Sequence, residues 1–129
     1  MRRLAVAVVS IALAAPAFSL AADAPAPVRH VVQTGPVSAA ADEQIVATTV
    51  DFAPGSSLGF HTHPGEEAGV VVAGELNVEI QGQAPKAFKT GEGFIIPRGT
   101  VHRVWATGQT RVVSTYVVDK DKPLVTMKP

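Results

Sequence analysis

An all-β fold, a sandwich or a barrel, is what the sequence predicts, and three observations predict it. Short runs rich in Val, Ile, Thr and Phe recur along the chain. Segments of turn composition separate them, with Gly and Pro supplying the special backbone angles. Several runs also alternate apolar and polar residues, and no window holds a long helical period.

In order, the runs are "VRHVVQ" (28–33), "IVATTVDF" (45–52), "GFHTH" (59–63), "AGVVVA" (68–73), "ELNVEIQ" (75–81), "AFKT" (87–90), "GFIIP" (93–97), "VHRVWAT" (101–107) and "RVVSTYVV" (111–118). The first and last are long, β-branched and poorly charged, and read as exposed edges that a partner would cover. The second is bounded by the turn "APGSS". Pro64 and Gly65 would turn the chain between the third and fourth. Leu76-Asn77-Val78-Glu79-Ile80 alternates, which gives one buried and one wet face. "QGQAP" and "TGEG" bracket the sixth run, and Pro97 ends the seventh because it cannot donate to a ladder. "PRGT" and "ATGQ" isolate the eighth.

The start of the chain reads as an export signal. Arg2 and Arg3 form a positive n-region, Leu4 to Leu13 an apolar h-region, and Ser19-Leu20-Ala21 a cleavage site, with Ala17 as the alternative. The competing reading is an uncleaved anchor. Against it, Pro16 interrupts an apolar stretch already short of the ~20 residues a span needs. The expected organisation is a signal peptide at 1–21, a tether and edge strand at 22–43, and one domain at 44–129. Export to the periplasm follows if the source is a Gram-negative bacterium. Loss of the signal takes Arg2 and Arg3 from eleven basic residues and nothing from eleven acids, so the mature chain is slightly acidic. No Lys/Arg cluster exists to neutralise phosphates, which argues against nucleic acid. There is no cysteine, hence no disulfide and no thiolate metal ligand.

His61 and His63 stand two apart on a strand, so their side chains share a face. That spacing lets two imidazoles reach one metal ion. Glu67 follows the turn, and His102 lies on another strand; if the strands are neighbours, three imidazoles and a carboxylate converge.

These positions resemble the cupin family. Its first motif is matched by Gly55, His61, His63, Glu67 and Gly74, its second by Gly91, Pro97, Gly99 and His102. Ala106 stands where the second motif ends in asparagine. The resemblance implies a jelly-roll β-barrel (a double-stranded β-helix) in which His61, His63, Glu67 and His102 bind one divalent transition metal. Imidazole and carboxylate suit iron, manganese, nickel, copper or zinc. It also implies a homodimer and a small-molecule ligand or substrate. The reaction expected first is a metal-dependent, dioxygenase-type oxidation. A non-catalytic small-ligand or metal-binding module and a metal-dependent isomerase or lyase are the alternatives.

Alternation places Gly69 and Val71 on the face of Glu67, and Val104 and Ala106 on that of His102, around a small dry pocket. Glu66 should face solvent, and His30 should be an ordinary strand residue. Arg98, Arg103, Trp105 and Tyr116 are the only candidates for orienting a substrate, and each is expected to serve packing or the surface instead. Trp105 should face outward. No catalytic residue beyond the metal ligands is evident.

Overall fold

The computed structural model describes residues 24–129. The export signal and its cleavage site lie outside the described residues. The chain forms ten strands: β1 Val28–Val37, β2 Ala40–Phe52, β3 Ser57–Thr62, β4 Gly65–Ala73, β5 Glu75–Ile80, β6 Lys86–Lys89, β7 Gly93–Ile96, β8 His102–Trp105, β9 Thr110–Asp119 and β10 Thr126–Met127. Two five-stranded antiparallel sheets result, ordered β1-β2-β9-β4-β7 and β10-β3-β8-β5-β6. The jelly-roll expectation is met. Among the described residues no helix is long and apolar enough to cross a membrane.

Alternation explains how the sheets close on one another. β2 buries Val46, Thr48, Val50 and Phe52, and β9 buries Val112, Ser114, Tyr116 and Val118, every second residue in each case. Val50, Phe52, Val112, Val71 and Ile96 of this sheet pack with Leu76, Val78, Phe88 and Val104 of the other in one core cluster, while Val46, Tyr116 and Val118 form a second. Leu76 is 1% exposed. Its truncation to alanine would cost roughly 2–5 kcal/mol.

Gly69 and Gly74 are among the glycines needed for their missing side chains. A Cβ on Gly69 would stand 2.2 Å from Cζ of Phe94, whose ring lies against that backbone. Gly74 turns the chain from β4 to β5 at φ +80°, and a Cβ there would meet the Gln109 carbonyl at 2.4 Å.

The structure corrects one edge. β1 is an edge strand as expected, but β9 is not: it pairs with β2 on one side and β4 on the other. Its long β-branched run meets neighbours on both sides, so the low charge at its surface marks a central strand. β1 and β2 run further than their apolar cores, joined through Ser38 and Ala39. Pro36 is tolerated there because β1 has one free side and a register shift at Pro36/Val37. β10 had no sequence signal; it is two residues held against His61 and Thr62 of β3.

Candidate metal centre

His61 and His102 are paired residues of β3 and β8. His63 lies just beyond the end of β3, two residues from His61. The three imidazoles meet, with ring centroids 4.2 Å (His61–His102), 4.9 Å (His61–His63) and 5.2 Å (His63–His102) apart. All are buried, and one ring nitrogen from each lies within 4.8 Å of the others, an arrangement that could hold a metal ion.

The backbone sets how each ring points. Nδ1–H of His61 donates to the Gly59 carbonyl at 2.8 Å, that of His63 to Leu124 at 2.6 Å and that of His102 to Thr100 at 2.9 Å. A carbonyl can only accept, so the proton of each neutral ring sits on Nδ1 and Nε2 is left with its lone pair. Nε2 of His63 and of His102 is buried without a hydrogen-bond partner. Burial keeps His61 neutral, pushing its pKa down to about 4 against the opposing pull of the Gly59 carbonyl.

Glu67, in β4, brings a carboxylate to the same place. Its Oε2 lies 3.1 Å from Nε2 of His63 and 3.7 Å from Nε2 of His102. Its Oε1 accepts a 3.0 Å hydrogen bond from the Tyr116 hydroxyl. Burial works against ionisation of Glu67, but positive charge shared with His102 and His63 at Nε2 overcomes it and holds the carboxyl well below the usual range. Burial, helped by the charge of Glu67, raises the Tyr116 phenol above its ordinary value, so it stays a donor. Glu66, the neighbour in sequence, has a half-exposed side chain 4.0 Å from Arg98.

A cavity of about 260 Å³ opens beside these groups. Phe52, Leu58, Leu76, Phe94, Val104 and Val112 form its apolar wall, while Arg29, Ser114 and Tyr116 add polar atoms. Ala26 and Pro27, from the segment read as a tether, also line it, as does Val125 after β9.

Gly69, Val71, Val104 and Ala106 are inward, as alternation required. His30 and Glu66 are outward. Arg98 donates to Asp119, Glu43 and the Pro64 carbonyl at the surface. Arg103 pairs with Glu79 and lies over the Phe60 and Trp105 rings, which leaves Trp105 on the outer face. Tyr116 departs from its expected packing or surface role. It is opposite Glu67 in the β4–β9 ladder, so both side chains share a face, and it holds the carboxylate. The signal for it was the alternation with Val112, Ser114 and Val118. Arg29 and the Leu124 carbonyl had none, since neither lies in a motif.

The family model for the cupin domain matches residues 48–119. The chain belongs to the cupins. Among curated proteins it is similar to germin-like protein 3-5 of Oryza sativa subsp. japonica, 35% identical over 88 residues, with 62% of this chain and 39% of the relative covered. Oxalate oxidase GF-3.8 of Triticum aestivum is 35% identical, with the same coverage of each. The chain thus spans about two fifths of the length of these relatives. Among solved structures, recombinant oxalate oxidase in complex with glycolate shares 31% identity at TM-score 0.56, over 64% of this cupin and 45% of that chain. KdgF from Halomonas sp. shares 26% identity at TM-score 0.62, over 75% of this cupin and 84% of that chain.

Proposed function

We propose that this cupin is a metal-dependent enzyme of the dioxygenase type that acts on a small molecule, with His61, His63, Glu67 and His102 as the four ligands of one divalent transition metal. The observation that carries the reading is the contact between Nε2 of His63 and Oε2 of Glu67 at 3.1 Å. With the imidazole proton on Nδ1, Nε2 and Oε2 are two acceptors, and they come that close only with a cation between them, a proton or a metal ion; a metal ion also serves the Nε2 of His102 beside the same oxygen. Donor atoms bonded at right angles to an ion ~2.1 Å away lie about 3.0 Å apart, and at tetrahedral angles about 3.4 Å. The separation of 3.1 Å lies next to the right-angle value, and 3.7 Å lies beyond the tetrahedral one. Three nitrogens and one oxygen suit iron, manganese, nickel, copper or zinc.

Such an ion, when bound, supplies a Lewis-acidic centre that polarises an oxygen ligand and lowers the pKa of bound water. The chain's own residues orient and insulate it. Three Nδ1–H bonds aim the imidazoles, Tyr116 holds Glu67, and the apolar wall keeps bulk water from the substrate side. The likeness to oxalate oxidases, one of them solved with glycolate, favours an oxidative reaction on a small polar molecule.

A second reading is a binding module without catalysis. It is favoured by the scarcity of acid–base groups in the cavity beyond Glu67 and Tyr116. Elemental analysis of the purified protein separates the two. About one iron, manganese, nickel or copper per chain, with dioxygen consumed in a substrate screen, supports the enzyme; zinc, or no metal, counts against it.

The proposal extends to an exported, periplasmic homodimer. Ile45, Val70, Val72, Ile95 and Val113 expose an apolar patch on the outer face of the β1-β2-β9-β4-β7 sheet, which a second copy would cover. Light scattering at tens of micromolar should then read a dimer, and a monomer would contradict it.

A further inference from the structure

Arg29 is the one cationic side chain along the cavity wall among the described residues. It comes from β1, before the segment that matches the cupin domain. Its backbone is paired with Val50, a buried wall residue, so the two side chains point to the same side of the sheet. The guanidinium carbon lies 5.7 Å from the ring centroid of Tyr116, the residue that holds Glu67. Nε of Arg29 is buried and has no hydrogen-bond partner. Among the described residues no carboxylate forms an ion pair with it, whereas Arg98, Arg103 and Arg111 all have acidic partners.

A guanidinium facing an apolar cavity with a free Nε–H is poorly satisfied. The guanidinium that lines the cavity is a planar fork of N–H donors with the spacing of a carboxylate's two oxygens. With a divalent ion counted, three neutral imidazoles and the Glu67 carboxylate leave a net positive centre, and Arg29 adds a second positive charge to the same small cavity. An anionic ligand would neutralise both.

We propose that Arg29 is the anion anchor of this cavity: it receives the carboxylate of a small ligand whose remaining polar atoms face the histidine cluster. The proposal rests on the metal-centre reading for the second end of the ligand, and not for the carboxylate end. Arg29 thereby acts as a specificity residue, and β1 becomes part of the binding site rather than only a sheet edge.

The test is calorimetric titration of the mature, metal-loaded protein with glycolate and with its neutral amide, glycolamide. The wild type should bind glycolate at least ten-fold more tightly than glycolamide. Arg29→Gln should weaken glycolate roughly 10- to 100-fold, leaving glycolamide affinity and metal content unchanged. Arg29→Lys should fall between, since it keeps the charge and loses the fork. The proposal is overturned by unaltered glycolate affinity in Arg29→Gln. Equal loss of both probes would also overturn it, since that marks a packing role. No glycolate binding by the wild type at millimolar concentration would do the same. If elemental analysis finds no metal, the same pair of probes on the protein as purified still reads Arg29, so the two readings fail separately.

Discussion

The two sides of the cavity are built differently. On one, His61, His63 and His102 are 1–3% exposed, and each is tied by a short hydrogen bond to a backbone carbonyl. On the other, Arg29 is only partly buried, has an unpartnered Nε and is steadied by the face of Tyr116. The histidine side is preorganised: its orientation is fixed before anything binds, as a metal site requires. The arginine side keeps its hydrogen-bonding capacity in reserve, which suits a group that meets a changing partner. Tyr116 touches both, with its hydroxyl on Glu67, its ring 4.9 Å from that of His63 and its face toward Arg29.

Removing the preorganised side should have the largest effect. The double change His61→Ala and His63→Ala should take the metal content from about one ion per chain to none, read by elemental analysis. Full occupancy in that protein would sink the metal centre. Chelation of the wild type tests the same side through stability. The ligands come from β3, β4 and β8 and the turn after β3, so an ion would staple both sheets. At a hundredfold excess over Kd its loss removes about 2.7 kcal/mol, or roughly 10 °C or more of Tm. An unchanged melt after verified metal removal would contradict the coupling.

The glutamate pair sharpens the comparison within one strand. Glu67 is 6% exposed and Glu66 points outward. Glu67→Gln should weaken metal binding by an order of magnitude or more in a competition titration, with Glu66→Gln nearly silent. Equal affinities would mean that the carboxylate at 3.1 Å from His63 is not a ligand.

Tyr116→Phe should be milder. It removes the hydrogen bond to Oε1 of Glu67 and leaves the ring in place. Metal affinity should drop about ten-fold. Glycolate affinity should fall only as far as the metal does, because the aromatic face toward Arg29 survives. A selective loss of glycolate at full metal occupancy would show that the phenol itself contacts the ligand.

A separate effect, independent of metal, is expected from pH. In the metal-free protein the folded His61 is depressed from 6.5 to about 4. Between those values the unfolded chain binds a proton that the folded chain refuses. His61 therefore costs the fold nothing above pH 6.5, the fold loses stability as pH falls toward 4, and below pH 4 both states carry the proton and the loss stops growing. The depressed carboxyl of Glu67 works the same way at lower pH, adding a loss that begins as pH falls below about 4.5. Melts at pH 7, 5.5 and 4 should show a falling Tm, and the His61→Gln protein should show a flatter slope above pH 4.5. A flat wild-type profile would mean that His61 titrates normally.

The sequence by itself determined nine of the ten strands and the motif residues, because both are written in local spacing. Alternation selects an inward face one strand at a time, and it identified Gly69, Val71, Val104 and Ala106 as inward. The resemblance to the cupin motif, which Glu67 and Gly74 fit, favoured Glu67 over Glu66 before any fold was known. What depends on which strand lies beside which was decided only by the tertiary structure. β9 is central rather than an edge because β2 and β4 both pair with it, and that pairing sets Tyr116 opposite Glu67. Arg29 reaches the cavity because the β1–β2 register aligns it with Val50. The Leu124 carbonyl reaches Nδ1 of His63 across 61 residues of chain. Contacts of that kind arise from long-range register and sheet order, and no periodicity within a single segment encodes them.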